Sequence, residues 1–113
     1  MSTVKEADAV ALNVAKLFAQ QVHELAPQAL IKLFGSAARG RLQEFSDIDI
    51  YVELPDEADS PELRERISDI AWEVGLEHGQ VIQQVTYRKG EVWDSPLRSS
   101  PFIKAVMREG IPL

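Results

Sequence analysis

Leu33-Phe34-Gly35-Ser36-Ala37-Ala38-Arg39-Gly40-Arg41-Leu42-Gln43-Glu44-Phe45-Ser46-Asp47-Ile48-Asp49-Ile50-Tyr51-Val52 is the stretch that decides how this chain folds. An apolar run from Leu30 to Phe34 stops at a Gly-Ser step, and a second run carrying Asp47 and Asp49 follows after ten intervening residues. Two strands therefore flank one short connection. If Asp47 to Leu54 is extended, its side chains alternate between faces. Asp47, Asp49, Tyr51 and Glu53 then share one face, while Ile48, Ile50, Val52 and Leu54 share the other. The aliphatic face reads as core and the acidic face as a site.

Two carboxylates one strand repeat apart repel each other, a cost that a cation between them offsets. Carboxylate oxygens with room for water and substrate phosphate suit Mg²⁺. Asp47 and Asp49 are thus the candidate metal ligands and catalytic acids. The Gly35-Ser36 step supplies the complementary half, because glycine lets backbone approach a phosphate closely and amides at the start of a following helix bind anions. Arg39 and Arg41 stand beside the turn, where they can meet a triphosphate. For Arg41 a solvated loop position is an equally good reading. An ordinary hairpin with an acidic outer face would explain the acids but not the turn they face.

Gly35-Ser36, ten intervening residues and Asp47-x-Asp49 together resemble the signature of the nucleotidyltransferase superfamily with a polymerase-beta-like palm. The form GSAARG followed by SDIDIYVE is most similar to the minimal nucleotidyltransferase (MNT) proteins, small chains often paired with a HEPN-family partner. The Ser-Pro-Phe segment at 100–102 and the Arg-Glu-Gly ending at 108–110 also look like that family, so the resemblance spans nearly the whole chain. It implies binding of ATP through Gly35, Ser36 and Arg39, with Mg²⁺ on Asp47 and Asp49, and transfer of AMP to a hydroxyl. It further implies an antitoxin whose acceptor is a tyrosine hydroxyl on a HEPN ribonuclease toxin. Many members of the superfamily carry a third carboxylate on the next strand, where this chain has Gln83 and Gln84. Glutamine is neutral and cannot act as a general base, so deprotonation of an acceptor would need the substrate, Glu53 or a partner. Two other readings keep the fold. One is a module that neutralises its partner by binding alone, and the other is a small-molecule nucleotidyltransferase that closes its site as a homodimer.

Composition narrows the field. A chain of 113 residues with 45% hydrophobic and 27% charged residues fits one globular domain, expected to run from 1 to 113. Lysine and arginine number 12 against 18 acidic residues, a formal charge of −6 with no basic cluster, which argues against a nucleic-acid partner. No apolar segment is long enough for a membrane span, and the first residues lack the pattern of a signal peptide. There is no cysteine, so a cytoplasmic location is expected.

Around the central stretch, Thr3 and Glu6 fit a capping box, and Val4, Ala7, Val10, Ala11, Val14, Leu17, Phe18, Val22 and Leu25 recur at helical spacing up to Pro27. His23, near the end of that helix, has no obvious second ligand and reads as a solvent-facing or capping residue. Ala29 to Phe34 reads as the first strand, with Lys32 its only charge. Ser60-Pro61 opens a second helix with Leu63, Ile67, Ile70, Ala71 and Val74 buried, Gly75 weakening it and Trp72 either covering an edge of the core or belonging to an interface. Val81 to Tyr87 is the third strand, Lys89 to Arg98 a loop, and Ser100-Pro101 the start of a last short helix ended by Gly110. The apolar tail 111–113 suits the body of the protein or a partner. The expected fold is α/β (α+β), a small mixed sheet of three to four strands with helices mainly on one face.

Overall fold

The computed structural model describes residues 2–38 and 47–113, with side chains from residue 9 onward. The first helix, α1 (Ser2–Leu25), buries Ala11, Val14, Ala15, Phe18, Ala19 and Val22 along one stripe. The alanines let the helix lie close to its neighbours. The face is narrower than the spacing suggested, since Val10, Leu17 and Leu25 lie on its flanks and stay exposed. The proposed cap at Thr3 and Glu6 lies outside the described side chains. His23 Nε2 donates a hydrogen bond to the carbonyl oxygen of Ala29 at 2.9 Å. A carbonyl only accepts, so the proton sits on Nε2, and the histidine closes the turn into the first strand.

Strand β1 (Leu30–Phe34) pairs antiparallel with β2 (Ile48–Leu54), and β2 pairs parallel with β3 (Ile82–Arg88) across the crossover helix α2 (Pro61–His78). The last two paired residues, β4 (Ile111–Pro112), add to the other edge of β1, giving the order β3-β2-β1-β4. This is the small mixed sheet the sequence indicates. Alternation decides which residues meet which layer. Ile31, Leu33, Ile48, Ile50, Val52 and Leu54 point toward α1 and α2 and form the main core with their buried stripes.

Helix α2 starts as its sequence says. Ser60 Oγ accepts from the Leu63 amide at 3.0 Å, Pro61 occupies the first turn, and Gly79 ends the helix with φ 65°. Gly75 is not a weak point, contrary to its helix propensity. The Gln80 amide returns to the Gly75 carbonyl at 2.9 Å, and a Cβ on Gly75 would lie 2.6 Å from the Gln80 carbonyl oxygen. The close return of the chain requires the missing side chain. Trp72 does not cover the core. It is 72% exposed and, with Leu76 at 70% and Val81 at 56%, forms an apolar strip beside the free edge of β3.

Residues 89–98 are not an open loop. They form the helix α3 (Lys89–Trp93) and a 3₁₀ turn (Pro96–Ser99), followed by α4 (Pro101–Glu109). Local hydrogen bonds explain the difference: the Arg88 amide donates to the Glu91 carboxylate at 2.9 Å, Ser95 Oγ accepts from the Leu97 amide at 3.1 Å, and Ser100 Oγ accepts from the Ile103 amide at 3.1 Å. Such side-chain caps satisfy amides that short helices leave open. Arg64 ties this segment to the body, donating to Asp59 at 2.7 Å, to the Thr86 carbonyl at 3.1 Å and to Glu91 at 3.3 Å. Val92, Ile103 and Val106 then form a second, smaller cluster on the sheet face opposite α1 and α2. The apolar tail lies along the body, where the Leu113 amide donates to the Ile31 carbonyl at 2.9 Å.

Replacing Gly75 by Ala should therefore lower stability by about 1–3 kcal/mol, the usual cost of overpacking, instead of adding the gain that helix propensity alone would give. Urea unfolding of the two proteins checks the sign.

Candidate functional site

The last rung of the β1–β2 ladder sets Phe34 opposite Asp49. One residue further, Gly35 turns the chain at φ 75°, in the left-handed region that other residues rarely adopt. A Cβ built on Gly35 would collide with the Asp49 carboxylate. The turn and the acid thus approach as closely as glycine permits. Ala37, 4% exposed, anchors the turn in the main core, while Ser36 beside it is partly open.

Asp47 and Asp49 are both partly buried at the start of β2. The Asp49 carboxyl is pushed above the usual carboxylate range, first by its burial and then by the negative charge of Asp47. Both causes disfavour an uncompensated anion there, and a cation would relieve both. Two converging acids beside a glycine turn fit a divalent metal whose remaining positions are filled by water and substrate oxygens. Among the described residues, no group of three or more His, Cys, Asp or Glu is placed to hold a metal. Of the expected phosphate-binding set, Gly35 and Ser36 lie on the turn, while Arg39, like Arg41, lies outside the described residues.

The parallel register brings Gln83 directly beside Asp49 on the same face. Gln84 pairs with Ile50 and belongs to the opposite face, where its Oε1 accepts from the Thr86 hydroxyl at 2.5 Å. Only one of the two glutamines is therefore relevant to the acids.

Glu53 is not an auxiliary base for this site. It lies four residues along β2 from Asp49, roughly 13 Å at strand spacing. It is only 6% exposed, and its Oε1 accepts from the Tyr51 hydroxyl at 2.8 Å and from Trp93 Nε1 at 2.9 Å. It borders a separate cavity of about 500 Å³ with Leu30, Asp56, Lys89 and Trp93. Along the acidic face, Asp49 and Glu53 therefore line different cavities. Between them Tyr51 is fully buried under the second cluster, its hydroxyl pushed above its usual range by burial and then by the bond to Glu53.

Next to the acids lies a smaller cavity of about 270 Å³, lined by Phe34, Gly35, Asp49, Phe102, Ala105 and, among others, Glu109. The α4 residues escaped sequence reasoning because nothing in the local pattern of α4 says that it packs beside the end of β1. The apolar spacing of Phe102 and Val106 marked the helix, not its place.

The family comparison agrees with this geometry. The sequence model of the nucleotidyltransferase domain matches residues 15–110, a span containing the turn, both acids and all of β1, β2 and β3. The chain belongs to that domain family, and its activity class is nucleotidyl transfer. Domains of this family usually use a divalent metal. Searches among curated proteins and among solved structures return no match. Among the described residues no helix is long and apolar enough to cross a membrane.

Two stability measurements separate the roles of these acids. Because the folded-state pKa of Asp49 is raised, folding favours its protonated form. Its contribution is therefore most favourable below the unfolded value and declines as pH rises through the folded one. In metal-free buffer Asp49→Asn should melt higher than the parent protein at pH 7, with the difference shrinking as pH falls through the raised folded value and gone below about 4. Glu53→Leu should instead lose at least about 2 kcal/mol, since it strands the Tyr51 and Trp93 donors. A thermal melt across pH and a urea titration provide the two readings.

Proposed function

We propose that this domain transfers AMP from ATP to a hydroxyl with Mg²⁺ as its metal, and that the hydroxyl belongs to a partner protein. The observation that carries the first half is the close contact of the Gly35 turn with Asp49, which sets a backbone turn bare of side chain directly against the acid. Asp47 and Asp49 would hold the cation, and Gly35 and Ser36 the phosphates, with Arg39 adding charge from the connection that follows. When bound, the cation neutralises charge on the triphosphate. The chain's own part is positioning: the turn fixes the triphosphate so that the alpha-phosphate faces the Asp47 and Asp49 end of the acidic strand face. The acceptor oxygen then forms a bond to the alpha-phosphorus as the bond to the departing pyrophosphate breaks. With Gln83 beside Asp49, the hydroxyl proton leaves to a nucleotide phosphate oxygen or to the partner.

A protein acceptor is supported by the exposed strip of Trp72, Leu76 and Val81, larger apolar groups than a solvated helix face needs. The resemblance to minimal nucleotidyltransferases supports a HEPN-family toxin as the partner, modified on a tyrosine and thereby silenced.

One observation favours a second reading. Gln83 in register with Asp49 sets a neutral side chain beside the acid pair, which suits a module that binds nucleotide and partner and neutralises by occlusion.

Incubation with Mg²⁺ and ATP labelled at the alpha-phosphate, together with the co-purified or neighbour-encoded protein, distinguishes the two. Transfer should place label on the partner, and Asp47→Asn or Asp49→Asn should reduce it on the order of a hundredfold or more while the fold persists. Gly35→Val should abolish nucleotide binding through both its strained φ and its clash with Asp49. A stable, silenced and unlabelled complex would establish occlusion instead.

A further inference from the structure

We propose that the cavity between the end of β1 and α4 receives the nucleobase and sugar of the bound nucleotide, with the Phe102 ring as its stacking wall. This rests on the nucleotide site proposed above, because the cavity shares Gly35 and Asp49 with it. A ligand whose phosphates lie against the turn therefore stands at the mouth of this space.

The chemistry of the lining selects which part of the ligand enters. Phe34, Phe102, Ala105 and Val106 make it apolar, and the two ionisable groups among the described lining residues, Asp49 and Glu109, are acids. None of the described lining residues is basic, and Glu109 is ion-paired with Arg108 at 3.0 Å, so the part of the space between Phe34, Phe102 and Ala105 suits a neutral planar group. Its volume of about 270 Å³ is just under the roughly 300 Å³ at which small-ligand pockets begin, so it takes part of a ligand and not the whole. Phe102 is 37% exposed, and its ring stands edge to face against Phe34 with centroids 5.3 Å apart at 81°. That contact braces the ring while leaving part of its surface for a second planar partner.

The wall is also held in place. Lys32, the one charge of β1, donates from Nζ to the Met107 carbonyl at 3.2 Å, and Ile111 and Pro112 pair with Leu33 and Lys32 directly after α4. Helix α4 is thereby tied at its C-terminal end to the same strand that leads into the Gly35 turn. Pocket and phosphate turn keep a fixed relation, which is what recognition of one extended ligand needs.

Calorimetric titration of the full chain with Mg²⁺-tripolyphosphate and with MgATP tests this, using Ala105→Trp to fill the cavity and Phe102→Ala to remove its wall. The parent protein should bind MgATP more tightly than tripolyphosphate. Phe102→Ala should lose about tenfold for MgATP, the scale of one base-aromatic stack, and Ala105→Trp should reduce MgATP to the affinity of tripolyphosphate. Tripolyphosphate binding should stay unchanged in both. Circular dichroism confirms folding, and Phe102→Ala, at a partly exposed position, serves alone if the tryptophan is not accommodated. Undiminished MgATP affinity in a folded variant would overturn the proposal, as would loss of transfer without loss of binding, which would assign the cavity to the acceptor. If the parent protein binds tripolyphosphate as tightly as MgATP, the cavity proposal alone fails. If it binds neither, the nucleotide site fails with it.

Discussion

The pairing of Phe34 with Asp49 on the last rung of the β1–β2 ladder fixes the relation between the glycine turn and the acids. A shift of one residue would move every side chain of β2 to the opposite face, placing Asp49 in the core and Ile48 and Ile50 in solvent. The aliphatic half of β2 makes that slip prohibitive, since Ile48, Ile50, Val52 and Leu54 are all completely buried. Core packing therefore aims the carboxylates. Burial and mutual repulsion then leave Asp49 harder to ionise than an ordinary aspartate, a local cost tolerated because the rest of the strand holds it there.

The two faces of the sheet are used differently along their length. Helices α1 and α2 cover one face throughout, whereas α3, the 3₁₀ turn and α4 cover only part of the other. The covered part contains Tyr51, whose buried hydroxyl is satisfied by Glu53, which in turn also accepts from Trp93. This small polar network lets an acidic side chain serve as an internal anchor. Glu53 and Asp49 share a strand face and an alternation pattern, yet burial and hydrogen bonding give them unrelated environments. The same C-terminal segment that encloses Glu53 ends as the wall of the cavity beside Asp49.

Much of the architecture was legible in the sequence because its signals are local. Ser60-Pro61 and Gly79 delimit α2, the alternation of β2 separates core from site, and Gly35-Ser36 with Asp47-x-Asp49 marks the family. The departures have a common origin in contacts between distant segments. Trp72 is exposed because α2 meets the sheet through Ile67, Ile70, Ala71 and Val74, one turn-face away. Gly75 is needed because Gln80 returns against it, and residues 89–98 are ordered by bonds to Arg64 and by the caps at Ser95 and Ser100.

By itself, then, the sequence determined the order of the main helices and of the first three strands, the core face of β2, the glycine turn and the pair of acids that follow it, since each follows from local backbone preference or strand periodicity. Tertiary structure decided what no local pattern carries. It placed Gln83 and not Gln84 beside Asp49 through the parallel register of β3, withdrew Glu53 into a buried network, and set α4 next to the phosphate turn through Lys32 and the short β4 pairing. Register and helix docking are settled by burial summed over the whole chain, so the company each side chain keeps is known only once the chain has folded.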